Sequence, residues 1–454
     1  MKKIGSILKN KDIMSRILFT VLILFVFRIG AQITVPGVDT SGITDAVSTN
    51  SALSLMNLLG GGTLQTFSIF ALGVSPYITA QIIIQLLAAD VLPALSDLRR
   101  QGQHGRKKME MANRYLTLML GAVQAYGIIK TIENSTEVSL INAASGYEWL
   151  QYLYIIIVML AGAMMVMWLG DQISVKGIVN GISMIIFAGI VCSLPSQISN
   201  AFALWVVDSM GISDAAQIAG TFEFILYILS FLLIVAFVTF IELSKRKIPV
   251  QHAGKGGGQT PSMARASFLP IKINPAGVIP VIFASSIMMA PSVVNAFLGG
   301  DSGASWLDIF TSSKMTNMGN GAYMPWGLII YIVLTFAFTF FYANVQINPQ
   351  QMAENFQKNG SYIPGIRPGI ETERYVRKVL NRVCFIGAIA LSAIAALPSI
   401  LSLTVFKDYT SLSYAIGGTG LIIVVGVALE INSQIDGLLA GKSFDEVVAS
   451  GGQF

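Results

Sequence analysis

Apolar runs of about 20 residues, nearly free of charge, recur along this chain, and that one feature leaves few folds open. A run of this length is what an α-helix needs to cross ~30 Å of hydrocarbon. Hydrocarbon offers no hydrogen-bond partners, so each run must satisfy its own backbone and fold as a helix. About ten spans can be read, near 17–35, 75–92, 115–132, 152–169, 182–199, 222–241, 276–297, 326–345, 384–403 and 416–435. Only 12% of the residues are charged and 54% are hydrophobic, against about 25% charged in a soluble domain. The first run meets no small-residue cleavage site before it continues, so it is expected to stay as a span and not to leave as a signal peptide. Cys192 and Cys384 lie inside apolar runs and are expected as small buried hydrophobes, not as a disulfide or a metal site.

The basic residues fall on one side of an even-span arrangement. Lys2, Lys3, Lys9, Lys11 and Arg16 precede the first span; Arg99, Arg100, Arg106, Lys107, Lys108 and Arg114 lie between the second and third. Lys245, Arg246, Lys247, Lys255, Arg265 and Lys272 follow the sixth, and Lys358, Arg367, Arg374, Arg377, Lys378 and Arg382 follow the eighth. The opposite side carries Lys130, Lys314 and Lys407 with the acids Asp39, Asp45, Asp208 and Asp214. The excess of Lys and Arg in cytoplasmic loops predicts that both termini and the basic loops face the cytoplasm.

Two stretches in different halves share a spelling. Gly73-Val74-Ser75-Pro76-Tyr77-Ile78-Thr79-Ala80 and Gly277-Val278-Ile279-Pro280-Val281-Ile282-Phe283-Ala284 both read G-V-x-P-x-I-x-A, each opening the second span of its half. A weaker match pairs Gly181, Ile185, Ile186 and Gly189 of span five with Gly418, Ile422, Ile423 and Gly426 of span ten. Five spans per half is an odd number, so the halves enter the membrane from opposite sides. The expected fold is an all-α polytopic membrane protein of ten helices in two inverted five-helix halves, residues 1–200 and 201–454. Glycine and proline interrupting apolar segments at corresponding places point to the functional centre of such a fold. Between spans one and two, Gly60-Gly61-Gly62 and Gly73 bound an apolar piece, residues 63–72, too short to cross a bilayer. It reads as a half-helix re-entering from outside, or as an amphipathic helix on the outer surface; irregular backbone at membrane depth requires enclosure by protein.

The membrane interior is poor in ionisable groups, which ion-coupled transporters and pumps need. Arg28, near the outer end of span one, is the main exception and is expected to snorkel or pair locally. Asp90, Glu242 and Glu430 sit near cytoplasmic ends. The stretch Gly437-Leu438-Leu439-Ala440-Gly441-Lys442-Ser443 resembles a phosphate-binding loop, but has three residues between the glycines where the motif needs four, and no strand before it. His104 and His252 lack metal-ligand spacing. No cofactor, metal or buried nucleophile–base pair is indicated. The long basic loops near 243–274 and 347–382 exceed what topology requires, and their turn chemistry suggests binding of acidic protein surfaces or RNA.

Several motifs in order, spread over nearly the whole chain, carry a resemblance. They are Ile33-Thr34-Val35-Pro36-Gly37, the Gly73–Ala80 stretch, Trp168-Leu169-Gly170-Asp171-Gln172, Asn180-Gly181-Ile182-Ser183, the stretch from Asn274 to Ser286, the stretch from Pro364 to Gly369, and Gly417-Gly418-Thr419. With them the chain resembles the SecY family, central subunits of the bacterial Sec protein-conducting channel. The resemblance implies a clamshell with an hourglass pore, an outer plug near 60–73, a lateral gate to lipid, and no enzymatic activity. It implies a pore ring of Val74, Ile78, Ile186, Ile190, Ile282 and Ile423, and plug residues Leu64, Phe67, Ile69 and Phe70. Lateral-gate residues would be Thr79, Gln85, Ser285 and Ser286; docking residues would be Arg246, Lys247 and Arg367, although Gly254–Gly258 replaces a more basic loop tip seen in many relatives. The implied partners are SecE, SecG, the SecA ATPase, the ribosome, an unfolded preprotein with its signal sequence, and the lipid bilayer of the cytoplasmic membrane. The other function open to such a fold is an ion-coupled secondary transporter of small solutes, which would bind a defined ligand at mid-membrane.

Overall fold

The computed structural model describes residues 10–40, 42–44, 47, 51–88, 92–101, 103–136, 148–207, 214–252, 267–297, 306–310, 316–317, 323–404 and 418–449. Lys2, Lys3, Lys9, Asp45, Asp90, Asp208, Gly254–Gly258, Arg265, Lys314, Lys407 and Gly417, singled out above, lie outside these residues. The helices are α1 Lys11–Gly30, α2 Ser51–Gly60, α3 Ser75–Leu87, α4 Pro93–Arg100, α5 Gln103–Thr136, α6 Glu148–Lys176, α7 Gly181–Phe202, α8 Asp214–Leu243, α9 Ile279–Phe297, α10 Trp326–Gln346, α11 Pro349–Lys358, α12 Ile370–Thr404 and α13 Gly418–Ala449. A single π-helical turn, Ala203–Val207, extends α7.

Among the described residues, eight helices are long and apolar enough to cross a membrane, and two shorter apolar ones, Ser75–Leu87 and Ile279–Ser292, bring the number to the ten expected. Those two are α3 and α9, the helices opened by the repeated spelling. Each begins with proline in its first turn, where the missing N–H has no partner to lose. Five helices fall in each half: α1, α3, α5, α6 and α7, then α8, α9, α10, α12 and α13.

Hydropathy trims several helices. α5 begins at Gln103 and α12 at Ile370, well before the apolar windows near 115 and 384. Arg106, Lys107, Lys108 and Arg114 therefore lie on α5 and not in a loop, as do Arg374, Arg377, Lys378 and Arg382 on α12. These basic turns extend each helix past the apolar layer, and Arg377 Nη2 there donates to Glu373 Oε1 at 2.7 Å. The glycines at 437 and 441 lie inside α13, which leaves no phosphate-cradling loop. Cys384 is buried as expected, whereas Cys192 is exposed on α7. The reason is general: in a membrane the lipid-facing side of a helix is apolar too, so an apolar run does not distinguish core from lipid contact.

The segment between α1 and α3 departs from the expected half-helix. Its helix lies earlier, at Ser51–Gly60, and residues 61–74 form consecutive turns. Gly61 and Gly62 have φ +75 and +87, and the Gly62 N–H donates to Asn57 O at 2.8 Å. This left-handed glycine cap stops α2 before residue 63. The turns are then pinned to the end of α1. Val35 N–H donates to Phe67 O (3.0 Å), Ile69 N–H to Ile33 O (2.9 Å), and Thr66 Oγ1 to Ala31 O (3.2 Å). Arg28, on α1, donates from Nη1 to Gly61 O at 2.8 Å, so it pairs locally. Phe67 is fully buried and held at φ 42, a conformation that bulky residues adopt only when their surroundings impose it.

Close backbone approach locks this segment against the neighbouring spans. A Cβ on Gly189 of α7 would lie 2.8 Å from Gly61 Cα, and a Cβ on Gly162 of α6 would collide with Ile69 O. Small residues are what let membrane helices approach this closely. Gly189→Leu is therefore expected to lower the melting temperature of the purified protein by a few degrees, as overpacking costs about 1–3 kcal/mol. Gly437→Ala, where an added Cβ meets nothing within 4 Å, is expected to leave it unchanged or raise it. An unshifted melt in Gly189→Leu would contradict the contact.

Candidate pore, gate and docking face

One cluster of buried side chains contains all six residues expected as a ring. Val74 and Ile78 from the start of α3, Ile186 and Ile190 from α7, Ile282 from α9 and Ile423 from α13 are each no more than 8% exposed and pack in the same cluster. Their register repeats between the halves. Ile78 and Ile282 are each the fourth residue of their helix; Ile186 and Ile423 are each the sixth. Val278, partner of Val74 in the repeated spelling, packs against the same cluster partly buried. Gly426 makes room for it, since a Cβ there would sit 2.5 Å from Val278 Cγ1. Phe283 adds an aromatic wall, edge-on to Phe338 and Tyr342 of α10 at 6.0 and 5.9 Å. Sequence reasoning missed it because an aromatic in an apolar run carries no directional signal.

The four residues expected in the plug divide between two clusters. Phe70 joins the ring cluster and stacks on Phe27 of α1, centroids 5.7 Å apart and planes 6° apart. Ile69 packs against the same cluster, half-buried. Leu64 and Phe67 turn instead into a second cluster with Ala125, Ile128, Ile129 and Ile132 of α5 and Met159 of α6. The segment thus plugs into both the ring and the bundle beside it.

Helix α9 is one meeting point of the halves, packing against α3 and α5 as well as α10, and α7 against α13 is another. Its Ile282 and Phe283 enter the ring cluster, Met289 enters the cluster around Phe67, and Val281, Ala284 and Met288 enter a third cluster with α8, α10, α12 and α13. The hydroxyls of the residues expected at the gate bond within their own helices. Thr79 Oγ1 donates to Ser75 O (3.1 Å), Ser285 Oγ to Val281 O (2.9 Å) and Ser286 Oγ to Ile282 O (2.9 Å), each one turn back on its own helix. Gln85 Oε1 is buried without a hydrogen-bond partner. Among the described residues, no hydrogen bond from these four joins the two halves.

Outside the apolar layer, both expected loops fold into one small structure. Strand β1 (Lys245–His252) pairs antiparallel with β2 (Ser267–Lys272), Arg246 opposite Ile271 and Lys247 opposite Pro270. After the two-residue strands β3 (Thr316–Asn317) and β4 (Tyr323–Met324), which pair with each other, β5 (Ser361–Tyr362) pairs with the far end of β1. Ile248, Ile271 and Ile363, with Val376 and Leu380 of α12, form a buried cluster beneath the sheet, and Ile366 packs on it. The sequence hint was Lys247-Ile248-Pro249-Val250, whose alternation becomes exposed Lys247 and Pro249 beside buried Ile248 and Val250. Arg367 follows a turn closed by Ile366 N–H to Ile363 O at 3.0 Å, with Pro364 and Gly365 (φ +82) at its centre, the residues a type II turn requires. On its other side Thr372 Oγ1 donates to Arg367 O at 2.9 Å. The backbone of Arg367 is held while its side chain stays exposed, as do those of Arg246 and Lys247.

The chemistry of these sites is that of packing and charge. Among the described residues, no group of three or more His, Cys, Asp or Glu could hold a metal ion. Asn274, which leads into α9, donates from Nδ2 to Glu242 Oε1 (2.7 Å) and Gly277 O (2.8 Å), fixing the left-handed Gly277 (φ +63) at the entrance to the helix.

Comparisons with known proteins place the whole chain. The SecY family model matches residues 68–432. The protein translocase subunit SecY of Streptococcus gordonii is 42% identical over 438 residues, 96% of each chain. That of Bacillus subtilis is 42% identical over 446 residues, 98% of each chain. Among solved structures, a protein-conducting channel aligns with TM-score 0.67 at 17% identity, covering 98% of this chain and 96% of its own. Sec61 in a canine ribosome–channel complex aligns with TM-score 0.63 at 16% identity, covering 98% and 96%. The chain belongs to the SecY family of protein translocase subunits.

Proposed function

We propose that this chain forms the channel through which unfolded preproteins with signal sequences cross the cytoplasmic membrane, and from which apolar helices leave sideways into lipid. The observation that carries the reading is the aliphatic cluster of Val74, Ile78, Ile186, Ile190, Ile282 and Ile423, drawn from both halves at matching registers. A constriction of branched aliphatics offers no hydrogen bonds, so when narrow it dewets and blocks ions. For the same reason it prefers no particular side chain, which suits a conduit for any sequence. A transporter of small solutes would instead need polar groups converging at mid-membrane.

In this reading the halves 1–200 and 201–454 are the two shells of the clamshell, and the turns around Leu64, Phe67, Ile69 and Phe70 are the plug. The seam of Thr79, Gln85, Ser285 and Ser286 is the gate; its hydroxyls bond within their own helices, so opening it breaks no hydrogen bond between halves. Both termini and the sheet carrying Arg246 and Lys247 face the cytoplasm, supported by the one-sided distribution of Lys and Arg. Arg367 and that sheet receive SecA or a ribosome, and SecE and SecG complete the membrane complex. In this reading the driving energy comes from such a partner.

The seal is tested by bilayer conductance. Replacing Ile78 and Ile282 together with Asn is expected to raise the resting ion leak severalfold, because polar side chains let water into the constriction. An unchanged leak would remove both residues from the ring.

Docking is tested separately, in vesicles. Arg367→Glu is expected to reduce SecA-driven translocation tenfold or more, since reversing a charge at a forked contact turns attraction into repulsion of several kcal/mol. The melting temperature should stay within about a degree of the parent, because Arg367 is exposed. Undiminished translocation would contradict the docking role, and loss with a collapsed melt would reduce it to a structural one.

A further inference from the structure

The two short spans open at the same hinge, and the halves treat it differently. Gly73 and Gly277, the first residues of the repeated G-V-x-P-x-I-x-A stretch, both have left-handed backbones, φ +54 and +63. A Cβ on Gly277 would meet nothing within 4 Å, so glycine stands there for its backbone freedom and not for space. In the first half the turn is closed by backbone, Gly73 N–H to Phe70 O at 2.7 Å and Ser75 N–H to Leu72 O at 3.4 Å. Three residues before the glycine stands Phe70, whose side chain has no hydrogen bond to give. In the second half that position is Asn274.

Asn274 is 1% exposed, and its amide carries two N–H groups. Both are used: Nδ2 donates across the hinge to Gly277 O at 2.8 Å, and to Glu242 Oε1, in the last turn of α8, at 2.7 Å. Oδ1 is buried without a partner, so the amide is oriented by its donors alone. The residue before it is held as well. Ile273 N–H donates to Ser244 O at 3.0 Å, and a Cβ on Gly387 of α12 would collide with Ile273 O. Strand β2 ends one residue earlier, at Lys272, opposite Lys245 of β1. The strand pair, the end of α8 and the entrance to α9 are thus joined within residues 272–277.

We propose that Asn274 is a positioning residue that locks the Gly277 hinge onto α8, so that α9 and the β1–β2 pair move as one body. The matching hinge at Gly73, closed by backbone alone, leaves α3 separable from the segment before it. Ile282 lies in the first turn of α9, so a displacement of the strands reaches the aliphatic cluster. That last step rests on the channel reading; the lock itself does not.

The test is hydrogen exchange, read by mass spectrometry, on the purified full-length chain in nanodiscs. The Ile282 amide, bonded to Val278 O at 3.4 Å, reports the hinge. Asn274→Leu keeps the branching of the side chain and removes both bonds. Exchange across 275–283 is expected to rise about tenfold, for two hydrogen bonds of ordinary strength lost, with α10 changed less than twofold. Asn274→Asp sets a carboxylate against Glu242 and should do the same. Adding Glu242→Gln to Asn274→Asp returns a donor to the pair and should bring exchange back to within about threefold of the parent. Glu242→Ala alone removes one bond and should raise exchange about threefold, which covers the case in which the Asn274 variants fail to fold. Unchanged exchange in these single variants, or a rise shared equally by α10, would overturn the lock in favour of ordinary core packing. Absence of recovery in the swapped pair would overturn the assignment to the Glu242 bond. Bilayer conductance then separates the two readings: Asn274→Leu should raise the resting leak about threefold, in proportion to the loosened hinge. Faster exchange with an unchanged leak would overturn the link to the seal, whereas an unchanged leak in the Ile78 and Ile282 double variant as well would place the failure in the channel reading.

Discussion

Hydrocarbon supplies no hydrogen-bond partner to a backbone, and the arrangement of this protein follows from that constraint. Ordinary spans meet it as helices. The irregular segment 61–74 cannot, and it survives only because protein surrounds it. Some of its backbone groups bond within its own turns, and others are taken by Arg28 of α1 and by Ile33 and Val35 just past that helix. Its side chains fill the two clusters on either side. Gly61, Gly162 and Gly189 then bring the neighbouring backbones close enough to exclude lipid. Enclosing a broken segment in the middle of the bundle creates, in the same stroke, a place that is neither lipid nor ordinary helix packing.

The proposed pore occupies that place. A translocase must close to ions yet accept chains of any composition, and polar recognition would satisfy neither demand. Aliphatic side chains drawn from four helices seal by mutual packing and by dewetting, and they part without leaving broken hydrogen bonds. The seam through α9 follows the same logic, with hydroxyls bonded inside their own helices. Charge is held apart from this apolar centre, on the sheet of β1, β2 and β5 and on the Arg367 turn, where a stiff backbone leaves the cations exposed.

Much of this was legible in the sequence because the responsible signals are local and repeated. The shared G-V-x-P-x-I-x-A stretch located both short helices and paired Ile78 with Ile282, since proline and glycine at a helix start constrain the backbone wherever they occur. The proposed orientation rests on counting Lys and Arg. What failed to show were properties set by packing. The half-helix expected within 63–72 fell instead at Ser51–Gly60, because three consecutive glycines end a helix as readily as they begin one. The exposure of Cys192 and the role of Phe283 were hidden because every face of a membrane helix is apolar. The three-stranded sheet was hidden because its third strand is two residues long and lies about a hundred positions from the first two.

The most direct test of the channel reading is site-specific photocrosslinking to a translocating chain arrested midway across the membrane. A crosslinker at Ile282, which lies in the ring cluster, should capture the arrested chain, and one at Leu233 on the exposed face of α8 should capture lipid but no chain. Capture at Leu233 with none at Ile282 would contradict it, since the polypeptide would then cross somewhere other than through the aliphatic cluster.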